Sequence, residues 1–198
     1  MKVLYLTNKN AENINELPEF IEATGDKVVL STEKIDKKFI NNIKPDFIVS
    51  DRYEHIIKRE IIDLFNKTLI NLHPSMLPWN KGYHSNFWSI YENTPKGVSI
   101  HIIDQGIDTG EIVVQEEIRY FDNDTLRTTY KKLRATMVRL FFFNWELIKN
   151  KKINLIKQEE GSGTHHFKKE FDNLFKKLPA GWDTKIEQIK RLKNEKLL

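Results

Sequence analysis

The strongest constraint on this chain is a recurrence of short apolar runs broken by turn residues and alternating with helical periods. Segments 1–6, 27–30, 47–49, 68–72, 98–103 and 112–118 read as strands. Between the early ones, helices are expected over about 14–23, 36–42 and 58–65. Ile14, Leu17, Phe20 and Ile21, then Ile61, Ile62, Leu64 and Phe65, supply their apolar sides. Alternation of this kind specifies an α/β protein with an open, mostly parallel sheet flanked by helices.

The later part of the chain adds two helices of different character. A short one over 85–91 has Ser85 as its cap and Phe87, Trp88 and Tyr91 on one face. A long one over 125–149 follows Asp122-Asn123-Asp124 and buries Leu126, Tyr130, Leu133, Met137, Leu140, Phe141 and Trp145, with Phe142 and Phe143 widening the stripe. Beyond Asn150 the chain turns Lys-rich and less periodic, which reads as a tail with a last helix over 186–197. The expected organisation is an α/β core over 1–120, with the long helix and C-terminal extension over 121–198 packed on it.

Composition removes whole classes of chemistry. The 198 residues include no cysteine, so disulfides, thiolate nucleophiles and Cys-ligated metals are excluded. His165 and His166 are adjacent and His73 has no second histidine close by in sequence, so no metal site is expected. Met1 leads directly into a strand, and no apolar run reaches membrane-spanning length; the expected location is the cytoplasm, with no membrane partner. The formal charge of +4 is scattered among acids, which suits a small phosphorylated ligand as well as a polyanion and argues against a nucleic-acid stripe.

The candidate chemistry gathers at two strand ends. Asn71 and His73 are two apart, so as strand residues they face one side while Leu72 packs on the other. Asp108 lies in the Gly-punctuated turn after the next strand. An amide and an imidazole suit the oxyanion of acyl transfer, and a carboxylate suits the incoming nucleophile's proton. The alternative is that all three are turn and capping residues. Asn8 and Lys9 in the first turn, with the following helix's amino terminus and Lys81, are candidates for a diphosphate; ordinary exposure is the alternative for the lysines.

N-L-H-P-S-M-L-P followed by I-D-T-G-E resembles the formyltransferases that use N10-formyltetrahydrofolate. The resemblance implies a Rossmann-like formyltransferase fold and carries the family's catalytic roles onto Asn71, His73 and Asp108. It also implies that Tyr53, Glu54, His55, Ile56 and Ile57 grip the pterin, with Ile103, Asp104, Gln105, Gly106 and Ile107 lining its other side. D-R-Y-E-H-I-I, L-P-W-N-K-G and T-P-K-G-V-S-I-H are similar to the sugar-nucleotide N-formyltransferases, which act on dTDP-linked amino-dideoxy sugars for surface polysaccharide. The 4-amino isomer is expected over the 3-amino one. Trp79, Asn80, Lys81, Gly82, Tyr83, Asn86 and Trp88 become substrate-side candidates beside Asn8 and Lys9. A homodimer is expected, with the 141–145 aromatic cluster or the lysine-rich tail as its surface. The competing readings are a purine-pathway formyltransferase and a folate- or nucleotide-binding module without turnover.

Overall fold

The computed structural model describes residues 1–194. In chain order they form β1 (Lys2–Leu6), α1 (Glu16–Ala23), β2 (Lys27–Ser31), α2 (Lys37–Ile43), β3 (Phe47–Asp51), α3 (Arg59–Ile62), β4 (Leu69–His73) and β5 (Lys81–Gly82). There follow α4 (Ser85–Tyr91), β6 (Gly97–Ile102), β7 (Ile112–Glu117), α5 (Leu126–Lys149), β8 (His165–His166), α6 (Lys168–Phe175), a 3₁₀ turn (Gly181–Asp183) and α7 (Ile186–Asn194). Two compact units result. One comprises Met1–His73, Ile100–Val114 and Leu140–Lys157; the other comprises Pro74–Ser99, Gln115–Arg139 and the chain from Gln158 onward. The division does not fall at residue 120, because β6, β7 and α5 each contribute to both units.

The six-stranded sheet is ordered β2-β1-β3-β4-β6-β7, and the first unit holds β1 to β4 entire. β1 runs parallel to β2 and β3, and β3 parallel to β4, with Ser50 beside Asn71. Strands covered on both faces must be apolar throughout. Val3, Leu4, Tyr5 and Leu6 are accordingly all buried, as are Ile48, Leu69 and Ile70. β6 runs the other way: Ile103 N–H donates to the Leu69 carbonyl and Ile102 N–H to the Glu111 carbonyl, so its carboxyl end meets the starts of β4 and β7. Leu4, Leu6, Ile48, Ile61 and Leu69 build a core beneath the sheet, each worth about 1.5–3 kcal/mol when buried.

Local chemistry explains where the elements differ from expectation. α1 starts at Glu16 because Asn13, at φ +51°, turns the chain and accepts from Glu16 N–H; Pro18 then sits in the first turn, where no intrahelical donor is needed. α3 is a single turn and leaves Leu64 exposed. Phe141 and Trp145 are fully buried and stack at 5.1 Å, so they are core residues, while Phe142 and Phe143 between them are exposed.

The second unit is helical. Phe87 and Ile90 of α4, Leu126 of α5, Phe171 and Leu174 of α6 and Ile186 and Ile189 of α7 share one core. The segment 158–194 is therefore a packed part of this unit instead of a tail. Ser85 does not cap α4: its hydroxyl donates to the Pro74 carbonyl, and His84, at φ +54°, occupies the cap. In α5, Thr129 is buried where Tyr130 was expected, and Tyr130 is exposed. The last helix is described to Asn194; its expected end at Leu197 lies outside the described residues. Among the described residues no helix is long and apolar enough to cross a membrane.

Candidate active site

β4 places Asn71 and His73 on one side of the sheet, and the loop after β6 brings Asp108 to both. Asn71 Nδ2 lies 3.3 Å from Asp108 Oδ1, and His73 Nδ1 lies 3.4 Å from Asp108 Oδ2. The three expected residues are thus assembled. His73 and the Asp108 side chain are largely buried, at 6% and 12% exposure, which raises the strength of every charge interaction among them.

A fourth side chain completes the cluster. His101 on β6 is buried, with Nε2 3.2 Å from Asn71 Nδ2 and 3.3 Å from Asp108 Oδ1. Its Nδ1 is 2.8 Å from the Ile102 carbonyl, which can only accept, so Nδ1 carries a proton. The Asn71 amide is then oriented by its surroundings: its N–H groups face the imidazole and the carboxylate, while Ser50 Oγ donates to Oδ1 at 3.0 Å. Sequence reading missed His101 and Ser50, because each sits in an apolar strand run and is brought to Asn71 only by the pairing of the sheet.

The Asp108 loop is held by its own chemistry. Asp104 Oδ1 accepts from Thr109 Oγ1 at 2.6 Å and Gly106 N–H at 3.1 Å, closing a turn that leaves Gln105, Gly106 and Ile107 exposed. Asp108 has φ +55°, a conformation that Asp tolerates better than most residues. Gly110 is obligatory, since a Cβ there would lie 1.9 Å from the Ile102 carbonyl oxygen.

The other expected folate loop, 53–57, is anchored at both ends. Tyr53 Oη donates to the Glu33 carbonyl at 2.7 Å and accepts from Ile35 N–H at 3.0 Å, and burial raises its phenol above the usual value. Ile57 is buried, whereas Glu54, His55 and Ile56 are exposed. The expected diphosphate cradle is not supported. Asn8 is engaged with the Arg52 carbonyl and Asn10 N–H, and α1 places Glu16 and Glu19 in its first turn, which repels an anion.

Substrate-side candidates in the second unit divide by burial. Trp79 and Tyr83 are exposed, while Lys81 is buried with Nζ 3.2 Å from the Ser162 carbonyl. Asn80 is buried and bonds Thr94 and Thr164. Two candidates are corrected. Asn86 donates to Leu126 and Thr129 and accepts from Tyr120, and Trp88 is buried with its ring stacked on His166 at 3.9 Å, so both are core residues. His166 in turn lies 3.2 Å from Glu92; burial lowers its basicity despite that carboxylate. Among the described residues no three His, Asp or Glu side chains are arranged to hold a metal ion.

Comparison with known proteins places this geometry. The formyl transferase family profile matches residues 7–142. The methionyl-tRNA formyltransferase of Fusobacterium nucleatum is 31% identical over 159 residues, covering 77% of this chain and 51% of that protein. The GDP-perosamine N-formyltransferase of Brucella melitensis is 35% identical over 105 residues, covering 52% of this chain and 40% of that protein. The chain therefore spans about half the length of the curated relatives it matches. Among solved structures, the formyltransferase PseJ from Anoxybacillus kamchatkensis, in complex with UDP-4,6-dideoxy-4-formamido-L-AltNAc and tetrahydrofolate, superposes with a TM-score of 0.88 at 44% identity, covering 96% of this chain and 97% of that one.

Proposed function

Because the chain belongs to the formyl transferase family, we propose that it transfers the formyl group of N10-formyltetrahydrofolate to the 4-amino group of a nucleotide-linked 4,6-dideoxy sugar. The observation that carries the chemistry is the approach of Asp108 to Asn71, His73 and His101 at 3.3–3.4 Å. The likeness to PseJ over nearly the whole of both chains supports a 4-amino acceptor, and it favours uridine diphosphate over the thymidine diphosphate expected from sequence.

The residues present fit a folate. Ile56 and Ile107, in the two expected loops, are 79% and 47% exposed, and apolar side chains on loops beside a polar cluster suit an aromatic ring system. Bound there, the folate supplies an electrophilic formyl carbon. As Asp108 becomes protonated, the Asn71 N–H that had faced its carboxylate turns to the oxygen that becomes negative as the amine attacks, and His73 Nε2, the ring nitrogen not facing Asp108, donates to the same oxygen. Asp108 takes the proton the amine loses on forming its bond to carbon, then returns a proton to the departing folate nitrogen as the old C–N bond breaks. No covalent enzyme intermediate is required.

The test is release of tetrahydrofolate with UDP- and dTDP-linked 4-amino-4,6-dideoxy sugars, a 3-amino isomer and glycinamide ribonucleotide. Turnover of the UDP-linked 4-amino sugar is expected. Turnover of glycinamide ribonucleotide alone would replace the acceptor and keep the chemistry, whereas inactivity toward every amine would leave a folate-binding module.

A further inference from the structure

Ser50 and Asn71 lie side by side in the first unit, paired in register on the parallel strands β3 and β4. Residues paired in this way point to the same face of the sheet. The run F-I-V-S-D that forms β3 is buried along its whole length, so a hydroxyl within it needs a partner. Ser50 Oγ finds one in Asn71 Oδ1 at 3.0 Å.

The backbone that carries this hydroxyl is fixed from several sides. Leu6 of β1 pairs with Ser50 across from Asn71. The next residue, Asp51, is fully buried and accepts from Tyr5 Oη at 2.7 Å and from Arg52 Nε at 3.3 Å. Arg52 turns the chain at φ +59°, where its carbonyl accepts from Asn8 Nδ2 at 3.2 Å and its guanidinium donates to the Glu12 carbonyl at 2.9 Å. The end of β3 is thereby tied to β1 and the loop after it, and the Ser50 hydroxyl works from a rigid support.

Of the groups around the Asn71 amide, Asp108 changes character during acyl transfer. An ionised carboxylate only accepts, and in that state it holds Nδ2 toward the reacting centre. A protonated one also donates. The amide oxygen can then take that new donor by turning over, which would present oxygen instead of N–H to the developing negative charge. Ser50 opposes the reversal because Oδ1 already has its donor. The same hydrogen bond polarises the amide and makes its N–H groups stronger donors.

We propose that Ser50 is the positioning residue that keeps the Asn71 N–H groups on the reacting oxygen once Asp108 is protonated. Ser50 does so through Asn71 and touches no substrate; its role rests on the formyl-transfer reading of the cluster.

Ser50→Ala and Ser50→Thr, each made also on Asn71→Ala, test this by formyl-transfer kinetics and by the side-chain amide signals in proton–nitrogen NMR spectra of the full chain. Loss of signals in Asn71→Ala identifies the Asn71 pair. In Ser50→Ala those signals should shift, and kcat should fall about ten-fold or more, with the folate and acceptor KM within about two-fold of wild type. Ser50→Thr keeps the hydroxyl and should restore both. On the Asn71→Ala background, removing the hydroxyl should change kcat by less than about two-fold. An equal loss of kcat without Asn71, or unchanged Asn71 signals in Ser50→Ala, would overturn the role. Asn71 signals that depend on Ser50, in a protein that formylates none of the amines, would uphold the positioning and refute the acceptor reading. Turnover of an amino sugar at wild-type kcat in Ser50→Ala would do the reverse.

Discussion

His101 Nε2 lies 3.3 Å from Asp108 Oδ1 while the Nδ1 of the same ring is committed to the Ile102 carbonyl at 2.8 Å. A neutral His101 therefore presents a lone pair to a carboxylate, and the Asn71 amide, 3.2 Å from Nε2, supplies an intervening donor. Once Asp108 takes a proton from the acceptor amine, it too can donate to Nε2. His101 thus steadies both the resting amide and the protonated acid. In His101→Phe the amide loses one acceptor and the acid its neighbour, so kcat is expected to fall about ten- to hundred-fold. The acidic limb of the pH–rate profile should move, while the folate KM stays within about three-fold. Steady-state kinetics across pH checks this; a wild-type profile in a folded variant would remove His101 from the mechanism.

Asp108→Asn isolates the proton acceptor from the loop that carries it. Asparagine tolerates the left-handed φ of +55°, so the Asp104–Thr109 turn should survive the change. Loss of a positioned general base is expected to lower kcat by about 10²–10⁴-fold. Thermal denaturation should stay near that of wild type. Near-normal turnover would exclude Asp108 as the base.

What could be read in advance followed from local rules, and what could not depended on distant contacts. Asn71 and His73 were legible because strand parity puts them on one face, and Asp108 because glycines mark its turn. His101 was hidden inside the apolar run V-S-I-H-I-I, where a histidine looks like any other strand residue until its neighbour across the sheet is known. The parallel β1, β3 and β4 ladder was legible as continuous apolar runs, but the reversal of β6 was not, since direction leaves no mark on such a run. The second unit was hardest to anticipate. Phe171, Leu174 and Leu178 recur at helical spacing, yet the lysines around them suggested a solvated tail, and the partners that bury them come from 87–90, 126 and 186–189. The burial of Lys81 was hidden for a related reason, since its acceptor, the Ser162 carbonyl, is 81 positions away.

Asp26 anchors the carboxyl end of α5 in the first unit. Its Oδ2 lies 2.9 Å from Lys149 Nζ and 3.3 Å from Trp145 Nε1. Burial alone would raise this carboxyl, but hydrogen bonds and charge from the Met1 ammonium and Lys149 outweigh it and hold the group below its ordinary value. Breaking a buried pair costs about 3–5 kcal/mol; Lys149 retains Glu146, so Asp26→Asn should cost about 3 kcal/mol in chemical denaturation near neutral pH. A depressed acid stabilises above its unfolded pKa of about 4, and that stability is lost as pH falls through the lower folded value. The gap between variant and wild type should therefore narrow only below about pH 4. A gap that closes nearer pH 6 would assign the effect to another group.

His84 predicts a second pH dependence at a different place on the scale. Its ring stacks on Phe171 at 3.7 Å, with Tyr83 at 4.2 Å and Trp182 at 5.3 Å. Burial pushes the imidazole down to about 4, outweighing the nearby Asp172, while Lys168 adds to the depression. The unfolded chain binds a proton near pH 6.5 and the folded one does not until about pH 4. Stability is therefore intact above pH 6.5 and falls with pH between those values, by on the order of 3 kcal/mol if the shift is fully expressed. His84→Asn keeps a residue suited to φ +54° and removes the titrating ring. It should be less stable than wild type at pH 7.5, having lost the aromatic contacts, yet its stability should change less between pH 6.5 and 4.5. Denaturant titrations at several pH values measure both slopes. Parallel slopes for the two proteins would show that protonation of His84 is not what weakens the fold in mild acid.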